Sequence, residues 1–528
     1  MSDTIILNKF CSSFEEVISS NEFLKVITSW FNYLHRKKLF LKVTSSFSPL
    51  TLQEYYYLLI VSNEHPSIDI SLFTEGLYDY YRKINRFALL TKETSKEMIE
   101  INSNFNNLIL SLYRTIHLKL TNEDYLVYRE LPAGTNATFK YEEIANKFNL
   151  STFSRNTITR LLFRPPFIID SKSNIRTKQF YITDNFQFVD SKNMFNYFIY
   201  VGKKVACVVI NKEKIGYLVA LANLFETADV KQIKKVDIVI VYGDVESDCG
   251  IFYNELEKRI YGYLKDSDEN DYFGYLKKIL LTCQNILNIK ESILPIHGAS
   301  AVITLNGKKK NIILIGDSGA GKSETLEALK KIDRDLEILV IYDDMGSLLN
   351  IDNSVYTSGT ETGAFVRLDD LEKSFAPLAM DRAIFINPKK TNSRVVVPVG
   401  NYNTVTSNYQ VDILLYANNY SKSNNILTKF HDINLAKEIF KSGKRYAKGT
   451  TSENGLVETF FANPFGPVQL YSETNILIDY YLELLYKNKS TYIGEINTKL
   501  GIVGFEEEGP RDAAKALYKL LKEDNYEF

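Results

Sequence analysis

The stretch Ile312-Ile-Leu-Ile-Gly-Asp-Ser-Gly-Ala-Gly-Lys-Ser-Glu-Thr-Leu-Glu-Ala-Leu329 changes character twice along its length. It opens with an apolar run, passes through a glycine-rich turn and ends with apolar residues at helical spacing. Such a succession predicts a strand, a loop and a helix in that order. We therefore expect this stretch to be the central strand–loop–helix unit of an α/β domain.

The glycine-rich turn matches the pattern G-x-x-x-x-G-K-[ST] at Gly316, Gly321, Lys322 and Ser323. Glycines let backbone N–H groups converge on phosphate oxygens, and the start of the following helix adds its positive dipole end. The lysine of such a loop reaches the β- and γ-phosphates, and the hydroxyl binds Mg²⁺. The alternative is a glycine turn that only joins a strand to a helix. We predict a P-loop whose ATP-binding residues are Gly316, Asp317, Ser318, Gly319, Ala320, Gly321, Lys322, Ser323 and Glu324. The loop leaves open whether the donor is ATP, GTP or pyrophosphate.

Composition restricts the class of protein. The chain has 528 residues, which suffices for about three domains. Its 63 basic and 64 acidic residues balance, so no net field attracts nucleic acid or an anionic membrane. The four cysteines are scattered without metal-binding spacing, which suits a reducing compartment. No run is long and apolar enough to span a membrane, and no signal-peptide pattern is visible, so we expect a cytoplasmic protein.

Residue patterns predict three regions. Residues 1–125 are rich in aromatic and aliphatic residues at helical spacing and predict a helical N-terminal region. If the chain has a protein partner, this region is where we expect it to bind. Residues 126–290 are expected to form an α/β substrate-side lobe, and residues 291–528 a nucleotide-binding kinase lobe. Within 138–164, two short helical patterns resemble a helix-turn-helix, but the neutral chain favours an ordinary helical hairpin.

Apolar, β-branched runs predict strands at 204–211, 235–243, 382–386, 394–399 and 411–416, with a crossover helix at 215–225. The run 336–346 predicts a strand that ends in Asp343 and Asp344. Carboxylates at the carboxyl end of a strand beside a phosphate loop are suited to hold the metal of a nucleotide. The tail from residue 474 is expected to be mostly helical.

Two segments upstream of the loop, Tyr272-Phe-Gly-Tyr-Leu-Lys-Lys278 and Leu294-Pro-Ile-His-Gly-Ala-Ser-Ala301, together with the loop resemble the ATP-dependent phosphoenolpyruvate carboxykinases. Downstream, Thr360-Glu-Thr-Gly-Ala-Phe-Val-Arg367 and Thr391-Asn-Ser-Arg-Val-Val-Val-Pro398 are similar to further segments of that family. The loop and His297-Gly298 are closer to HPr kinase/phosphorylase, which shares the same kinase core. The resemblance implies an α/β fold: a two-lobed, mixed-sheet core with a P-loop, preceded here by the mainly helical region.

The resemblance also implies a reaction, in which oxaloacetate and ATP give phosphoenolpyruvate, CO₂ and ADP. It assigns a Mn²⁺ site to Lys278, His297 and Asp344, and Mg²⁺ on ATP to Ser323. It places Tyr272, Lys277 and Ser318 at the small anionic substrate. The catalytic residues that it implies are Lys278, Arg394, Lys322 and Asp343.

The sequence departs from the family at the substrate and adenine sides. The arginine-containing segment that binds oxaloacetate is absent, and only Arg129 and Arg164 are candidates by position. Asn454 stands where an adenine-side arginine is expected. Two alternatives follow: a kinase of the HPr-kinase type that phosphorylates another small-molecule or protein hydroxyl, and a non-enzymatic, ATP-binding regulatory protein.

Overall fold

The computed structural model of the chain describes residues 11, 14–39, 42–62, 64–85, 105, 108–109, 112–113, 115–116, 119, 125–128, 135–141, 143–163, 167–174, 177–185, 187–188, 193–333, 335–368, 383–390, 392–447, 455–462 and 465–523. The predicted candidates Arg129, Arg164 and Asn454 lie outside these residues. The chain divides into two compact units: residues 1–141 with 158–164, and residues 142–157 with 165–528.

The first unit contains the helical N-terminal region that the sequence predicts. Its helices are α1 (Phe14–Ile18), α2 (Asn21–Arg36), α3 (Lys42–Ser46), α4 (Pro49–Val61) and α5 (Ile68–Asn85). Helix α4 begins with a capping box, in which the Ser48 and Thr51 side chains each accept from the other residue's backbone N–H. Buried aromatic rings such as Phe23, Tyr56 and Phe73 form the core. The aromatic stripes of this region are therefore packing residues.

The helical hairpin predicted within 138–164 is wrong. Strand β2 (Thr135–Tyr141) pairs with β1 (Tyr125–Tyr128) antiparallel, and β3 (Asn156–Phe163) is the next strand of that sheet. Between β2 and β3, the described residues form one short helix, α6 (Glu143–Lys147), followed by turns. The segment 156–163 is rich in β-branched residues, and sheet pairing satisfies its backbone better than a short exposed helix would.

The second unit has a sheet in which β5, β6, β8, β10 and β9 lie side by side in that order. The strands of this part are β5 (Met194–Val201), β6 (Lys204–Asn211), β7 (Glu226–Thr227), β8 (Ile238–Gly243), β9 (Cys249–Asn254) and β10 (Arg259–Lys265). Strands β6 and β8 are parallel and connected through helix α7 (Gly216–Leu224). The crossover unit predicted from the sequence is confirmed. Helix α8 (Phe273–Lys290) follows and is buried along most of its length.

A second mixed sheet positions the glycine loop. Its order is β18, β14, β13, β11, β12, β19, β23 and β20. The bounds are β11 (Leu294–Leu305), β12 (Lys308–Ile315), β13 (Glu337–Ile351), β14 (Ser354–Gly359), β18 (Tyr409–Gln410), β19 (Ile413–Asn418), β20 (Leu427–Lys429) and β23 (Tyr492–Asn497). Strand β12 is parallel to β19 and antiparallel to β11.

The apolar run before the glycine loop is buried because both faces of the sheet are covered. Ile313 and Ile315 of β12 belong to the core on one face, and Ile312 and Leu314 to the core on the other. The covering helices include α9 (Lys322–Leu329), α11 (Ile433–Ser442), α12 (Tyr471–Lys487) and α13 (Glu508–Lys522). The predicted strand, loop and helix are confirmed as local structure. In the tail, the short strand β23 lies between α12 and α13 and was not predicted.

The position expected for Asp343 and Asp344 is wrong in one respect. They do not end their strand but lie in the middle of the long β13, opposite Ala299 and Gly298 of β11. Residues beyond them continue the strand because they pair with both β11 and β14. The register nevertheless places Gly298 opposite both Asp344 and Ile315, the last residue before the loop, so the carboxylates lie close to it.

A smaller sheet and a hairpin complete the second unit. The sheet has the order β15 (Gly363–Arg367), β17 (Arg394–Pro398), β16 (Ile384–Ile386) and β4 (Phe167–Ile169). Helix α10 (Tyr402–Thr406) follows it, and β21 (Lys444–Tyr446) pairs with β22 (Leu456–Glu458). Among the helices of the described residues, none is long and apolar enough to cross a membrane.

Candidate functional site

The glycine loop between β12 and α9 folds around the ammonium group of Lys322. This group donates hydrogen bonds to the carbonyl oxygens of Gly316 at 2.6 Å and Asp317 at 3.2 Å. Gly319 and Gly321 have φ angles of 79° and 90°, the left-handed region that favours glycine. A Cβ on Gly321 would lie 2.6 Å from the Thr498 side chain, so glycine is required there for space as well.

Side chains from outside the loop hold its carbonyl groups. The Asn419 amide donates to Gly319 O at 2.9 Å, and the Thr498 hydroxyl donates to Ala320 O at 2.7 Å. Thr325 donates its hydroxyl to Gly321 O at 2.6 Å. Since these carbonyl oxygens are all bound on the protein side, the loop is kept in one conformation beside the start of α9. A helix start and a tight, glycine-containing turn form a favourable environment for an anion.

Ser323 and Asp343 join the loop to strand β13. The Ser323 hydroxyl donates to Asp343 Oδ1 at 2.7 Å. Burial raises the pKa of Asp343 to about 6, against the hydrogen bond from Ser323 and the charge of Lys322, which lower it. Burial also lowers the pKa of Lys322, while the nearby carboxylates act in the opposite direction. A hydroxyl and a carboxylate oxygen thus lie together at the start of α9.

A second set of charged groups lies beside the first. Asp344 Oδ2 is 2.6 Å from the ammonium of Lys277, and Asp344 Oδ1 is 3.0 Å from Nε2 of His297. The same ammonium is 3.1 Å from Glu361 Oε1. The other ring nitrogen of His297, Nδ1, is 2.7 Å from Ala462 O; because a carbonyl oxygen only accepts, Nδ1 carries the hydrogen and Nε2 faces Asp344. Four side chains from separate elements therefore form one connected group.

The carboxylates around Lys277 have opposite pKa shifts. Burial acts to raise the pKa of Asp344, but Lys277 and His297 hold it well below its usual range. The Asp344 side chain is still 39% exposed, so we attribute the direction to its two neighbours. Burial raises the pKa of Glu361 to about 7, opposed by Lys277 and reinforced by Asp344. Burial lowers the pKa of Lys277, but the two carboxylates outweigh it and raise the pKa overall. Asp344 is thus the ionised partner of Lys277.

Arg394 lies near this group, on β17. Its side chain is buried, its Nε donates to Asn392 Oδ1 at 3.2 Å, and its guanidinium carbon is 5.5 Å from the centre of the Phe365 ring. The Lys277 ammonium is also 5.5 Å from that ring. Asn392 further donates to the Tyr272 hydroxyl at 3.4 Å. Both cations therefore lie within cation–π distance of Phe365, and Asn392 connects Arg394 with Tyr272.

Two of the predicted residues have other surroundings. The Lys278 ammonium donates to the carbonyl oxygen of Lys178 at 2.6 Å, and it is Lys277 that contacts Asp344. Ser318 is exposed, and its backbone N–H donates to Asp317 Oδ1 at 2.6 Å. Asp317 in turn accepts from Arg445 Nε at 2.8 Å, so its side chain faces the protein. Glu324 is half-buried in the first turn of α9.

Sequence reasoning missed several residues of this site. Asn419 and Thr498 follow β19 and β23, two strands that are far from the loop in sequence. In the sheet, β19 is next to β12 and β23 is the strand beyond it. Arg445 and Ala462 likewise meet Asp317 and His297 only through tertiary contacts. Glu361 has a sequence signal, because it belongs to the segment 360–367 that is similar to the carboxykinases.

The donor atoms fit the two expected metals to different degrees. Mg²⁺ takes one or two protein oxygens with phosphate and water, and the Ser323 hydroxyl with the Asp343 carboxylate supplies such oxygens. For Mn²⁺, His297 Nε2 and Asp344 Oδ1 face each other, but Lys278 is directed elsewhere. Within the described part of the chain, no group of three or more His, Cys, Asp or Glu side chains has the arrangement of a metal site. Because Lys278 is directed at Lys178, the Mn²⁺ ligand set implied by the resemblance is not brought together.

Comparisons with known proteins leave this chain without an assigned family. No family model matches it, and no curated protein matches it.

Proposed function

We propose that this protein catalyses ATP-dependent, metal-assisted phosphoryl transfer at the glycine loop. One observation carries the proposal: the loop presents Lys322 and Ser323 at the start of a helix, and Ser323 is hydrogen-bonded to Asp343 on the neighbouring strand. This combination supplies a cation for phosphate oxygens, backbone dipoles for negative charge and two oxygens for Mg²⁺. A turn that only joined a strand to a helix would need neither the buried lysine nor the carboxylate.

Four side chains at and beside the loop have roles in this reaction. Lys322 would exchange its bonds to the Gly316 and Asp317 carbonyl oxygens for bonds to the β- and γ-phosphates. Ser323 and Asp343 would hold Mg²⁺, which neutralises charge on the phosphates as they react. Arg394 would bind oxygens of the transferred group, since its planar guanidinium suits phosphate geometry.

His297 and Asp344 are suited to a second divalent cation, and we leave Lys278 out of the set because it is directed at Lys178. The hydrogen bond between His297 Nδ1 and Ala462 O fixes the ring so that Nε2 faces Asp344. Such a cation would add positive charge next to the acceptor. Lys277 and His297 hold the pKa of Asp344 below its usual range, which favours the carboxylate form that binds cations.

The acceptor has two candidates. The resemblance to phosphoenolpyruvate carboxykinases supports oxaloacetate, whose enolate oxygen would receive the phosphoryl group. A hydroxyl acceptor, as in a kinase of the HPr-kinase type, is supported by the buried carboxylate Glu361 beside the site. The non-enzymatic alternative, an ATP-binding regulatory protein, predicts binding of ATP without any transfer.

Binding of ATP and Mg²⁺ tests the proposal directly. We expect calorimetric titration to show Mg²⁺-dependent ATP binding, and Lys322→Ala to weaken it by at least about 100-fold, which equals about 2.7 kcal/mol. Lys331→Ala, which removes an exposed lysine just beyond α9, is the matched control and should bind as the unmodified protein does. Equal affinity of the two variants would refute the proposed donor site. Binding with no turnover of radiolabelled ATP would favour the regulatory alternative.

A further inference from the structure

Glu361 is the buried carboxylate whose surroundings the donor site does not explain. Its side chain is 4% exposed, and Lys277, 3.1 Å away, is its ion-pair partner. Within the described residues, neither of its oxygens takes part in a hydrogen bond of good geometry. Buried carboxylates usually accept several hydrogen bonds, because burial without them is unfavourable. A carboxylate held this way retains lone pairs for a group that enters the site.

The backbone holds Glu361 firmly in place between β14 and β15. Thr360 N donates to Met345 O at 3.1 Å, and Thr362 N donates to Leu224 O at 2.9 Å. Thr362 O accepts from the N–H groups of Val399 and Gly400. The residues on both sides of Glu361 are therefore fixed to three other parts of the unit. A rigid backbone of this kind is what a residue needs in order to act on a reacting group.

Glu361 lines a cavity that also reaches the donor site. The cavity is bordered by Asp343, Asp344 and Glu361 and by small or aliphatic residues such as Gly363, Ala364 and Val405. Asp343 connects it to Ser323 and hence to the expected position of the γ-phosphate. The described residues that border the cavity include three carboxylates and no lysine or arginine. Lys277 already pairs with Asp344 and Glu361, so a dicarboxylate such as oxaloacetate would find no further lysine or arginine among these lining residues, whereas an uncharged hydroxyl compound needs none.

We propose that Glu361 is the general base of the reaction and that the acceptor is a hydroxyl group on an uncharged or cationic molecule. This inference rests on the phosphoryl transfer proposed above and specifies its acceptor. The hydroxyl proton moves to a Glu361 oxygen while the hydroxyl oxygen forms a bond to the γ-phosphorus. The bond between that phosphorus and the β,γ-bridging oxygen breaks, and its electron pair leaves with ADP. Glu361 then releases the proton to water.

Glu361 is chemically suited to act as a base because it shares the ammonium group of Lys277 with Asp344. The shorter contact of this ammonium is to Asp344, at 2.6 Å, and Asp344 is held ionised by that contact and by His297. Lys277 therefore stabilises the ionised form of Glu361 less than an unshared lysine would. A carboxylate that is less stabilised by a cation takes up a proton more readily. An enolate acceptor, by contrast, is formed by decarboxylation and presents no hydroxyl proton. A carboxykinase reaction would therefore give Glu361 no hydroxyl proton to remove.

The test compares Glu361→Gln and Glu361→Asp with the full-length unmodified protein. Transfer from radiolabelled ATP is measured to water, glycerol, ethanolamine and free serine, and labelled bicarbonate exchange into oxaloacetate is measured in parallel. We expect Glu361→Gln to lower transfer to water and to the best hydroxyl acceptor by at least about 100-fold, with ATP affinity within about twofold. Glu361→Asp should retain part of the rate. Glu226→Gln makes the same chemical change on the exposed strand β7 and should leave the rate unaltered.

Each outcome decides the inference. A Glu361→Gln variant that binds ATP and transfers at the unmodified rate would overturn the general base. Bicarbonate exchange without transfer to any hydroxyl would overturn the acceptor class while leaving ATP-dependent transfer intact. A protein that binds ATP but transfers to none of these acceptors also counts against it. Failure of the unmodified protein to bind ATP would instead refute the proposed function itself.

Discussion

The ammonium of Lys277 lies 2.6 Å from Asp344 Oδ2, while its neighbour Lys278 donates to a backbone carbonyl 2.6 Å away. Both lysines lie on helix α8, where consecutive residues point about 100° apart around the axis. Only one of the two can face a given site. The two lysines therefore have different contacts. Lys277 forms ion pairs with Asp344 and Glu361, and Lys278 donates a hydrogen bond to the segment around Lys178.

Replacing the two lysines by methionine should separate these roles. Lys277→Met leaves a buried glutamate and a partly buried aspartate without their cation, so we expect the free energy of unfolding to fall by on the order of 3 kcal/mol at neutral pH. Lys278→Met removes a hydrogen bond to a carbonyl and should lower it by about 1 kcal/mol. Chemical denaturation followed by circular dichroism measures both. A larger effect for Lys278→Met would contradict this placement of the two ammonium groups.

The requirement for glycine at position 321 can be tested against a second glycine. Gly321 and Gly307 both have positive φ, of 90° and 76°, but an added Cβ would clash with Thr498 only at Gly321. Gly307→Ala should therefore show only the backbone strain, about 1 kcal/mol. Gly321→Ala should lower the melting temperature further and weaken ATP binding by at least about 10-fold, equal to about 1.4 kcal/mol. Thr498→Gly, which removes the Thr498 Cβ together with the hydroxyl and methyl groups, should recover part of the loss in the double variant, and no recovery would argue against the clash.

The raised pKa of Glu361 predicts how stability depends on pH. The folded protein holds the Glu361 proton more tightly than the unfolded chain, because its pKa rises from 4.5 to about 7. This contribution to stability is complete below pH 4.5 and is lost as the pH rises through about 7. Glu361→Gln cannot lose a proton and should be more stable than the unmodified protein at pH 8 by on the order of 1 kcal/mol. Denaturation curves at pH 5 and pH 8 measure the free energy of unfolding of both proteins. If the two proteins differ by the same amount at both pH values, ionisation of Glu361 is not the cause of the difference.

Asp317 should produce the opposite dependence at acid pH. Burial acts to raise its pKa, but His297, Arg445 and the Ser318 N–H lower it below 3.8. Its contribution to stability is present above the unfolded pKa and is lost as the pH falls through the lower folded value. Asp317→Asn should lower the free energy of unfolding at neutral pH by about 2 kcal/mol, because Arg445 stays buried without its carboxylate. The difference in free energy of unfolding between Asp317→Asn and the unmodified protein should become smaller near pH 3. A difference that does not change with pH would contradict the role of the Asp317 charge.

Several strands of the second unit were predictable because they carry local signals. The runs at 204–211 and 336–346 and the stretch 312–329 show period and composition that follow from burial on both faces of a sheet. The prediction of a helical hairpin within 138–164 is wrong because the apolar spacing of this segment suits a helix, while pairing with neighbouring strands decides its conformation. The prediction that this strand ends at Asp344 is wrong for a similar reason. The residues after Asp344 stay in β13 because they pair with β11 on one side and β14 on the other.

The sequence by itself determined the glycine loop, because the steric demands of Gly319 and Gly321 and the position of Lys322 are local properties of the chain. Tertiary structure alone decided which side chains complete the site. Asn419, Thr498, Arg445 and Glu361 reach it through strand order and cross-sheet contacts, over separations in sequence that carry no local pattern. It also decided between Lys277 and Lys278, because the rotation of a helix about its axis depends on what the whole helix packs against.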